Sequence, residues 1–546
     1  MIKSFFNSPS RTIAAAAVVL GAASLISRLL GLFRDRILAG RFGAGDELDI
    51  YYAAFRIPDM VYSLLVLGAV SAGFIPVFIN YLQKDKKQTW SLANSVLNLM
   101  ALSLIVVCAL LIVLAPWLAK LVAPGFSSEK LSLTVQLTRV MFLSPFFLGL
   151  SAVFGGILQS FRRFLVYSLG PIMYNLGIIF GTLVLVDYFG LLGLAYGVVL
   201  GAFFHMLIQI PPAHFCGFRW RPVFDFRFSG VRRIFKLMPP RILSLALSQI
   251  NFWLMTVFAS FLAVGSIAVY NLAYNIWSFP LGVFGISFVL AAFPKLSQTA
   301  QKKNIIGFVK TFSLTLRQIL FLTLPSAALF IVLREEIVRV ILGVGRFSWP
   351  DTLLTFQTLA YFSIGLFAEA LILLFLRGFF AWEDTKTPFL IGLLAMAFRL
   401  PVAWFLAQKM GVSGLALGFS FGSIFYLILL FIALRRKIAK KLRSFAPQFM
   451  KSEAPKNLDE KNIFLSGGKM ILASGLAALA AYLSLQYLAS LVDTATGLGL
   501  LFQGGLAGLF GLLIYLLCAW LFRLTELKLF LTSLFGRSLG KKYLEG

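Results

Sequence analysis

Fourteen apolar stretches, each long enough to approach or exceed the roughly 20 residues an α-helix needs to cross a bilayer, succeed one another along the chain and restrict it to a membrane bundle. They fall near 11–40, 47–82, 90–122, 131–160, 165–187 and 190–212, then near 229–262, 266–299, 306–343, 352–380, 387–409 and 412–434, with a last pair near 467–491 and 498–522. Several exceed a minimal span, which implies tilt, kinks or extension beyond the hydrocarbon. The 60% hydrophobic content lies above the about 45–50% apolar usage of globular chains, and a soluble fold could not bury that excess. Forty-five glycines and twenty prolines would interrupt soluble helices, whereas packed neighbours in a membrane re-satisfy the backbone groups they free. The expected fold class is an all-α polytopic membrane protein.

Loop charge orients the bundle, because short cytoplasmic loops are enriched in Lys and Arg. Positive clusters occur at Lys84, Lys86 and Lys87, at Arg162 and Arg163, from Arg219 to Arg233, at Lys302 and Lys303, and from Arg435 to Lys441. The intervening loops carry little more than Arg41, Lys130, Arg346 and Lys409. With Lys3 and Arg11 on the same side as Lys541 and Lys542, both termini are expected in the cytoplasm and the chain in the bacterial inner membrane. The basic flank before Ile13 allows a cleaved signal peptide, but the apolar run is too long and arginines follow it, so it reads as a retained first span.

The net charge of +28 is dispersed among short loops with no basic domain, so anionic membrane lipids, and not nucleic acid, are the expected partners. Cys108, Cys216 and Cys518 lack CxxC spacing, and His205 and His214 have no carboxylate cluster beside them. No metal, redox centre, cofactor or thiol nucleophile is expected. Nucleophile, base and orienter do not occur together near a soluble surface, which argues against an enzyme.

An internal repeat is visible. FGAGDELDIYYAAFRI from Phe42 resembles LAVGSIAVYNLAYNI from Leu262, and Ile75-Pro76 echoes Phe293-Pro294, at offsets of 262 − 42 = 220 and 294 − 76 = 218. The expected organisation is an N-terminal lobe of six helices (1–228), a C-terminal lobe of six (229–441), a charged cytoplasmic linker (442–466) carrying Pro447 and Pro455, and an extra helix pair with a basic tail (467–546). Repeats of this kind place substrate sites between the lobes.

Ionisable residues inside apolar runs are the functional candidates, since such groups are costly in hydrocarbon unless they face protein or water. Arg28, Arg34, Asp35 and Arg36 lie in or at the end of the first run. The last three could simply mark the outer interface and snorkel. Arg28, 17 residues beyond Arg11 or roughly 25 Å along a helix, should lie within the outer half of the membrane. The second run carries Asp49, Arg56 and Asp59 around Pro58. Either a polar kink beside a cavity, or an internal salt bridge among Asp49, Arg56, Arg28 and Arg34, accounts for them. Glu369 is an isolated carboxylate in its run, a candidate for ion coupling, for a near-interface position or for a bond to a neighbouring helix. The 57 phenylalanines read as packing and lipid-facing surface.

Taken together, SRLLGLFRD at Ser27–Asp35, FGAG at Phe42–Gly45, Asp49, FRIPD at Phe55–Asp59 and APGF at Ala123–Phe126 resemble the MurJ (MviN) lipid II flippase family. RRF at Arg162–Phe164, the PxxxN of Pro171–Asn175, LPSA at Leu324–Ala327 and DTKTP at Asp384–Pro388 extend the resemblance over nearly the whole chain. It implies two pseudo-symmetric lobes rocking between inward-open and outward-open states, with undecaprenyl-pyrophosphate-linked peptidoglycan precursor carried outward and cell-wall synthesis machinery as possible partners. Arg28, Arg34 and Asp35 match the family's first-helix cavity residues, and Asp49 matches a second-helix carboxylate. There are departures. Aligned on Pro58 and Gly68, the family's second-helix arginine pair falls on Tyr62 and Ser63, and its glutamate on Leu67. Its second-lobe cavity arginine falls on Asn275, with an acidic position at Ser278. Besides a lipid II flippase, the residues leave open a flippase for another lipid-linked glycan, an ion-coupled exporter of the same superfamily, and an envelope-assembly scaffold that does not transport.

Overall fold

The computed structural model describes residues 13–67, 73–445, 458–494 and 496–535, and every regular element among them is helical. The expected linker prolines and the terminal charges Lys3, Arg11, Lys541 and Lys542 lie outside the described residues. Among the described residues ten helices are long and apolar enough to cross a membrane, or eleven if Trp349–Ile364 and Leu366–Ala381, bent by 43°, form one span.

The chain divides into two compact units, Met1–Ala268 with Val344–Ser348, and Val269–Gly343 with Trp349–Gly546. The first unit contains α1 (Ile13–Phe42), α2 (Asp46–Val61), α3 (Ile75–Lys84), α4 (Lys86–Val122), α5 (Ser128–Met141), α6 (Leu143–Ser160) and α7 (Phe164–Phe180). It continues with α8 (Val186–Phe189), α9 (Leu192–Leu207), α10 (Ile210–Phe215) and α11 (Ser229–Ser260). Small residues bring α7 and α9 together: a Cβ on Gly177 would lie 2.2 Å from the Cα of Gly201. Close backbone approach of this kind supplies packing where lipid removes the hydrophobic drive between helices. The core of the unit is aromatic, with Phe74, Phe78 and Phe154 buried and the Trp90 and Phe161 rings stacked 6.0 Å apart.

The second unit holds most of α12 (Ser266–Pro280), then α13 (Ser287–Gln301), α14 (Ile305–Val332), α15 (Arg334–Leu342), α16 (Trp349–Ile364) and α17 (Leu366–Ala381). Beyond these lie α18 (Lys386–Met410), α19 (Val412–Phe445), α20 (Glu460–Ala489), α21 (Gly497–Leu521) and α22 (Thr525–Phe535). Its core is built on Phe308, Phe312 and Phe321 of α14 with Phe375 and Phe379 of α17. The last helices are tied to α14 by polar bonds. The Tyr515 hydroxyl donates to the Phe321 carbonyl at 2.7 Å, and Arg317 pairs with the fully buried Glu526 at 2.9 Å.

Element by element, the second series repeats the first. α2 and α12 begin 266 − 46 = 220 residues apart, and each runs into a π-helical turn, Tyr62–Leu67 and Leu281–Ile286, at an offset of 281 − 62 = 219. Even the caps recur: the Asp85 side chain accepts from the backbone of Lys87 at the start of α4, and Asn304 accepts from Gly307 at the start of α14. Short polar side chains suit this position because they satisfy the orphan amides of a first turn. α11, first in the second series by order, packs within the first unit.

Candidate functional site

The first-helix candidates form a bonded cluster. Arg34 donates from Nε and Nη2 to Oδ1 of Asp35 at 3.0 and 2.7 Å, and from Nη1 to Oδ1 of Asn175 at 3.1 Å. Asn175 is oriented by its own helix, since Nδ2 donates at 3.0 Å to the carbonyl of Pro171, one turn back. The PxxxN spacing thus aims the amide oxygen of α7 at α1. Asp35 is 2% exposed, which removes the reading in which it marks a watery interface. Arg28, half-buried, stands 35 − 28 = 7 residues before Asp35, two helical turns along the same face.

Around this cluster the second helix contributes tyrosines and a second cation. Tyr51 and Tyr52, both buried, lie within electrostatic reach of Arg34 and Asp35. Tyr174 lies within reach of Tyr51, Arg34, Asp59 and Tyr62. Asp59 neighbours Arg56, whose Nε donates to the Thr256 hydroxyl at 3.1 Å and whose guanidinium stands 5.6 Å from the centre of the Phe252 ring. Arg34 with Asp35 and Arg56 with Asp59 thus form two charged pairs of the first unit, and Tyr174 lies within electrostatic reach of both. Tyr62 and Ser63, where the resemblance leads one to look for arginines, are the first two residues of the π-helical turn Tyr62–Leu67.

Asp49 does something else. Its oxygens accept from the backbone amides of Gly265 and Ala268 at 2.7 and 2.8 Å, the first turn of α12. The salt-bridge alternative for Asp49 is replaced by a side chain that caps a helix from a distance, a favourable place for a negative charge. Close contact makes this possible: Gly265 has φ +86, and a Cβ there would lie 1.9 Å from the Ala44 carbonyl oxygen in the FGAG turn.

In the second unit Asn275 is half-buried, and its backbone carbonyl accepts from the Ser278 hydroxyl at 2.9 Å. Glu369 is not isolated. It accepts from Arg399 at 3.2 Å and from the Ser423 hydroxyl at 2.5 Å, while Arg399 also donates to Ser423 at 2.8 Å. The Arg399 guanidinium lies 4.5 Å from the centre of the Phe419 ring. Of the three readings of Glu369, the bond to a neighbouring helix is the one the geometry favours. Arg399 was missed as a candidate although an arginine within AMAFRLPVAW is itself an intramembrane charge. Thr256 and Tyr174 carry no such signal and emerge only from the fold.

The family model described as "Lipid II flippase MurJ" matches residues 38–496. A probable lipid II flippase MurJ of Haemophilus influenzae is 31% identical over 416 residues, covering 73% of this chain and 80% of its own. That of Buchnera aphidicola subsp. Schizaphis graminum is 30% identical over 435 residues, covering 78% and 85%. A solved structure of lipid II flippase MurJ in an inward closed conformation superposes with a TM-score of 0.73 at 25% identity, covering 92% of this chain and 98% of that one. A multidrug transporter of the MATE family in an inward-facing conformation shares the fold alone, at 15% identity and a TM-score of 0.67 over 77% of this chain and all of that one. From the family-model match over most of its length, the chain belongs to the lipid II flippase MurJ family.

Proposed function

We propose that this chain flips lipid II, the undecaprenyl-pyrophosphate-linked peptidoglycan precursor, from the inner to the outer leaflet of the bacterial inner membrane by alternating access, with Arg34 and Arg28 holding the pyrophosphate. The observation that carries the reading is the Arg34–Asp35–Asn175 cluster in a chain of this family. A guanidinium has five donors, and the bonds to Asp35 and Asn175 use Nε and one donor on each terminal nitrogen, so the group is held in place with donors left for phosphate oxygens. Pre-orientation of a planar fork suits a bidentate anion better than a mobile point charge. Arg56 and Asp59 supply the second charged pair, while Asp49 is assigned to capping and Glu369 to pairing with Arg399.

The architecture proposed with this function has fourteen spans in two six-helix lobes, 1–228 and 229–441, followed by the linker and the extra pair. To the ten apolar helices and the bent pair Trp349–Ala381 it adds Ile13–Phe42, the interrupted segment 46–84 and Ser229–Ser260. The repeated offsets support it. Both termini lie in the cytoplasm on this reading, from loop charge.

Complementation of a flippase-depleted bacterium, scored by lysis and by lipid II accessibility at the outer leaflet, tests the proposal. Rescue is expected, and failure despite verified membrane expression refutes it. A second reading, transport of another lipid-linked glycan, is favoured by the uncharged Tyr62, Ser63 and Asn275 at cationic family positions. Tyr62→Arg with Asn275→Arg should keep or raise lipid II affinity if lipid II is the cargo. A clear loss of binding would point to the other head group.

A further inference from the structure

Between α10 and α11 the chain forms an irregular strap, residues 216–228, whose backbone is held by two side chains of α4 one turn apart. Asn94 Nδ2 donates to the Arg219 carbonyl at 3.0 Å, and its Oδ1 accepts from the Arg221 amide at 2.7 Å. Asn98 Nδ2 donates to the carbonyls of Arg221 and Val223 at 2.7 and 3.0 Å, and its Oδ1 accepts from the Trp220 indole at 3.0 Å. Both asparagines are buried, and Phe218 is buried against the rings of Trp90 and Phe154. These bonds satisfy a backbone that has no helix or sheet to do so.

The clamp leaves much of the strap's aromatic and basic surface facing outward, the Trp220 ring included although its indole nitrogen is bonded to Asn98. Trp220, Phe224 and Phe226 are 65%, 55% and 59% exposed, and Arg219, Arg221 and Arg227 are exposed among them. Arg219 also donates to the ring of His214. The one carboxylate in the strap, Asp225, accepts from the backbone amide of Arg227. Large aromatics left in water are unfavourable, and aromatics interleaved with arginine form the composition of a membrane interface.

The depth of the strap follows from α4. Its exposed large apolar residues run from Leu102 to Leu121, a rise of roughly 29 Å, which matches the ~30 Å hydrocarbon core. Asn98 lies one turn before Leu102, towards the end of α4 that begins at Lys86 and Lys87. The strap therefore stands at headgroup level on the side that the basic loops assign to the cytoplasm.

We propose that the strap 216–228 is a binding site for anionic phospholipid of the cytoplasmic leaflet. Trp220, Phe224 and Phe226 enter the boundary between headgroups and acyl chains, and Arg219, Arg221 and Arg227 hold the lipid phosphates. The proposal rests on the membrane reading and is independent of the cargo.

The full chain carrying Phe224→Cys, with Cys108→Ser, Cys216→Ser and Cys518→Ser, is labelled with bimane and reconstituted in phosphatidylcholine vesicles. These contain equal fractions of brominated phosphatidylglycerol or brominated phosphatidylcholine as quencher. Enrichment near a basic residue at the surface is about fivefold per arginine, so quenching by the anionic lipid should exceed that by the neutral one at least about fivefold. Arg219→Gln with Arg221→Gln and Arg227→Gln, all at exposed positions, should bring the ratio near one while quenching by neutral lipid persists. Equal quenching by both lipids in the parent, or none by either, overturns the proposal. Asn94→Ala with Asn98→Ala separates the clamp from the side chains: a monodisperse protein with a lowered ratio supports the built site, and an unchanged ratio refutes it.

Discussion

Replacing Asp49 by alanine removes the acceptor for two buried amides, those of Gly265 and Ala268. An unsatisfied buried donor costs about 1–3 kcal/mol, so Asp49→Ala should lose roughly 2–6 kcal/mol, less whatever water enters the gap. Asp49→Asn keeps one oxygen but turns an NH2 group towards the other amide, donor against donor, and should fall between parent and alanine. Gly265→Ala should resemble Asp49→Ala, because its φ of +86 and the 1.9 Å approach to the Ala44 carbonyl force the same turn open. The double variant should be less destabilised than the sum, since both changes break one junction. Unfolding followed along an SDS titration in mixed micelles measures the order parent, asparagine, alanine, and lipid II binding by the surviving folded fraction measures function separately. The reasoning is refuted if Asp49→Ala unfolds with the parent yet fails to bind, for then the carboxylate meets the cargo and not the helix start.

Arg34→Ala should insert normally and lose transport, while Arg34→Lys, which keeps the charge without the fork, should lose about 10–100-fold in affinity; full activity of both in a flipping assay removes the pyrophosphate assignment. Removing one partner of the largely buried Glu369–Arg399 pair should destabilise by about 3–5 kcal/mol, with Glu369→Met and Arg399→Met together regaining most of it. Should Glu369→Gln instead leave stability intact and abolish dependence on an ion gradient, the residue is a coupling site. Asp384, in the loop before α18, is partly buried, which raises its pKa, but the 2.5 Å bond from Lys437 together with the amide and hydroxyl of Thr387 outweighs that and holds it below the usual carboxylate value. A lowered folded pKa stabilises above about pH 4 and the contribution disappears as pH falls through the folded value. Lys437→Met should therefore flatten the acid limb of a stability-against-pH curve, and an unchanged limb counts against the pairing.

Much of this was readable from residues alone, for physical reasons. The apolar runs near 90–122 and 498–522 answer to bilayer thickness, which leaves few alternatives, and they correspond to Lys86–Val122 and Gly497–Leu521. The repeat showed through Gly45 and Gly265, which stand at matching helix starts, and at Gly265 a φ of +86 and the close Ala44 carbonyl leave room for little else. What stayed hidden depends on partners far along the chain. Asp49 looked like one member of a charge cluster, but its acceptors are filled from 216 and 219 residues away. Glu369 looked isolated because its partner Arg399, 30 residues on, lies in the next apolar run. Asn94 and Asn98 have no charge to draw attention, although one turn of spacing suits them to grip an extended segment.

The paired π-helical turns have a consequence for how this chain tolerates change in length. Each turn houses surplus backbone, so dropping one residue within Tyr62–Leu67 or Leu281–Ile286 can relax it to ordinary α-helix while the segments on either side keep their faces. The same deletion a turn away rotates everything beyond it by about 100°, turning apolar positions inward and polar ones to lipid. The two copies thus mark the points in their repeats where the ruler can be shortened by one notch.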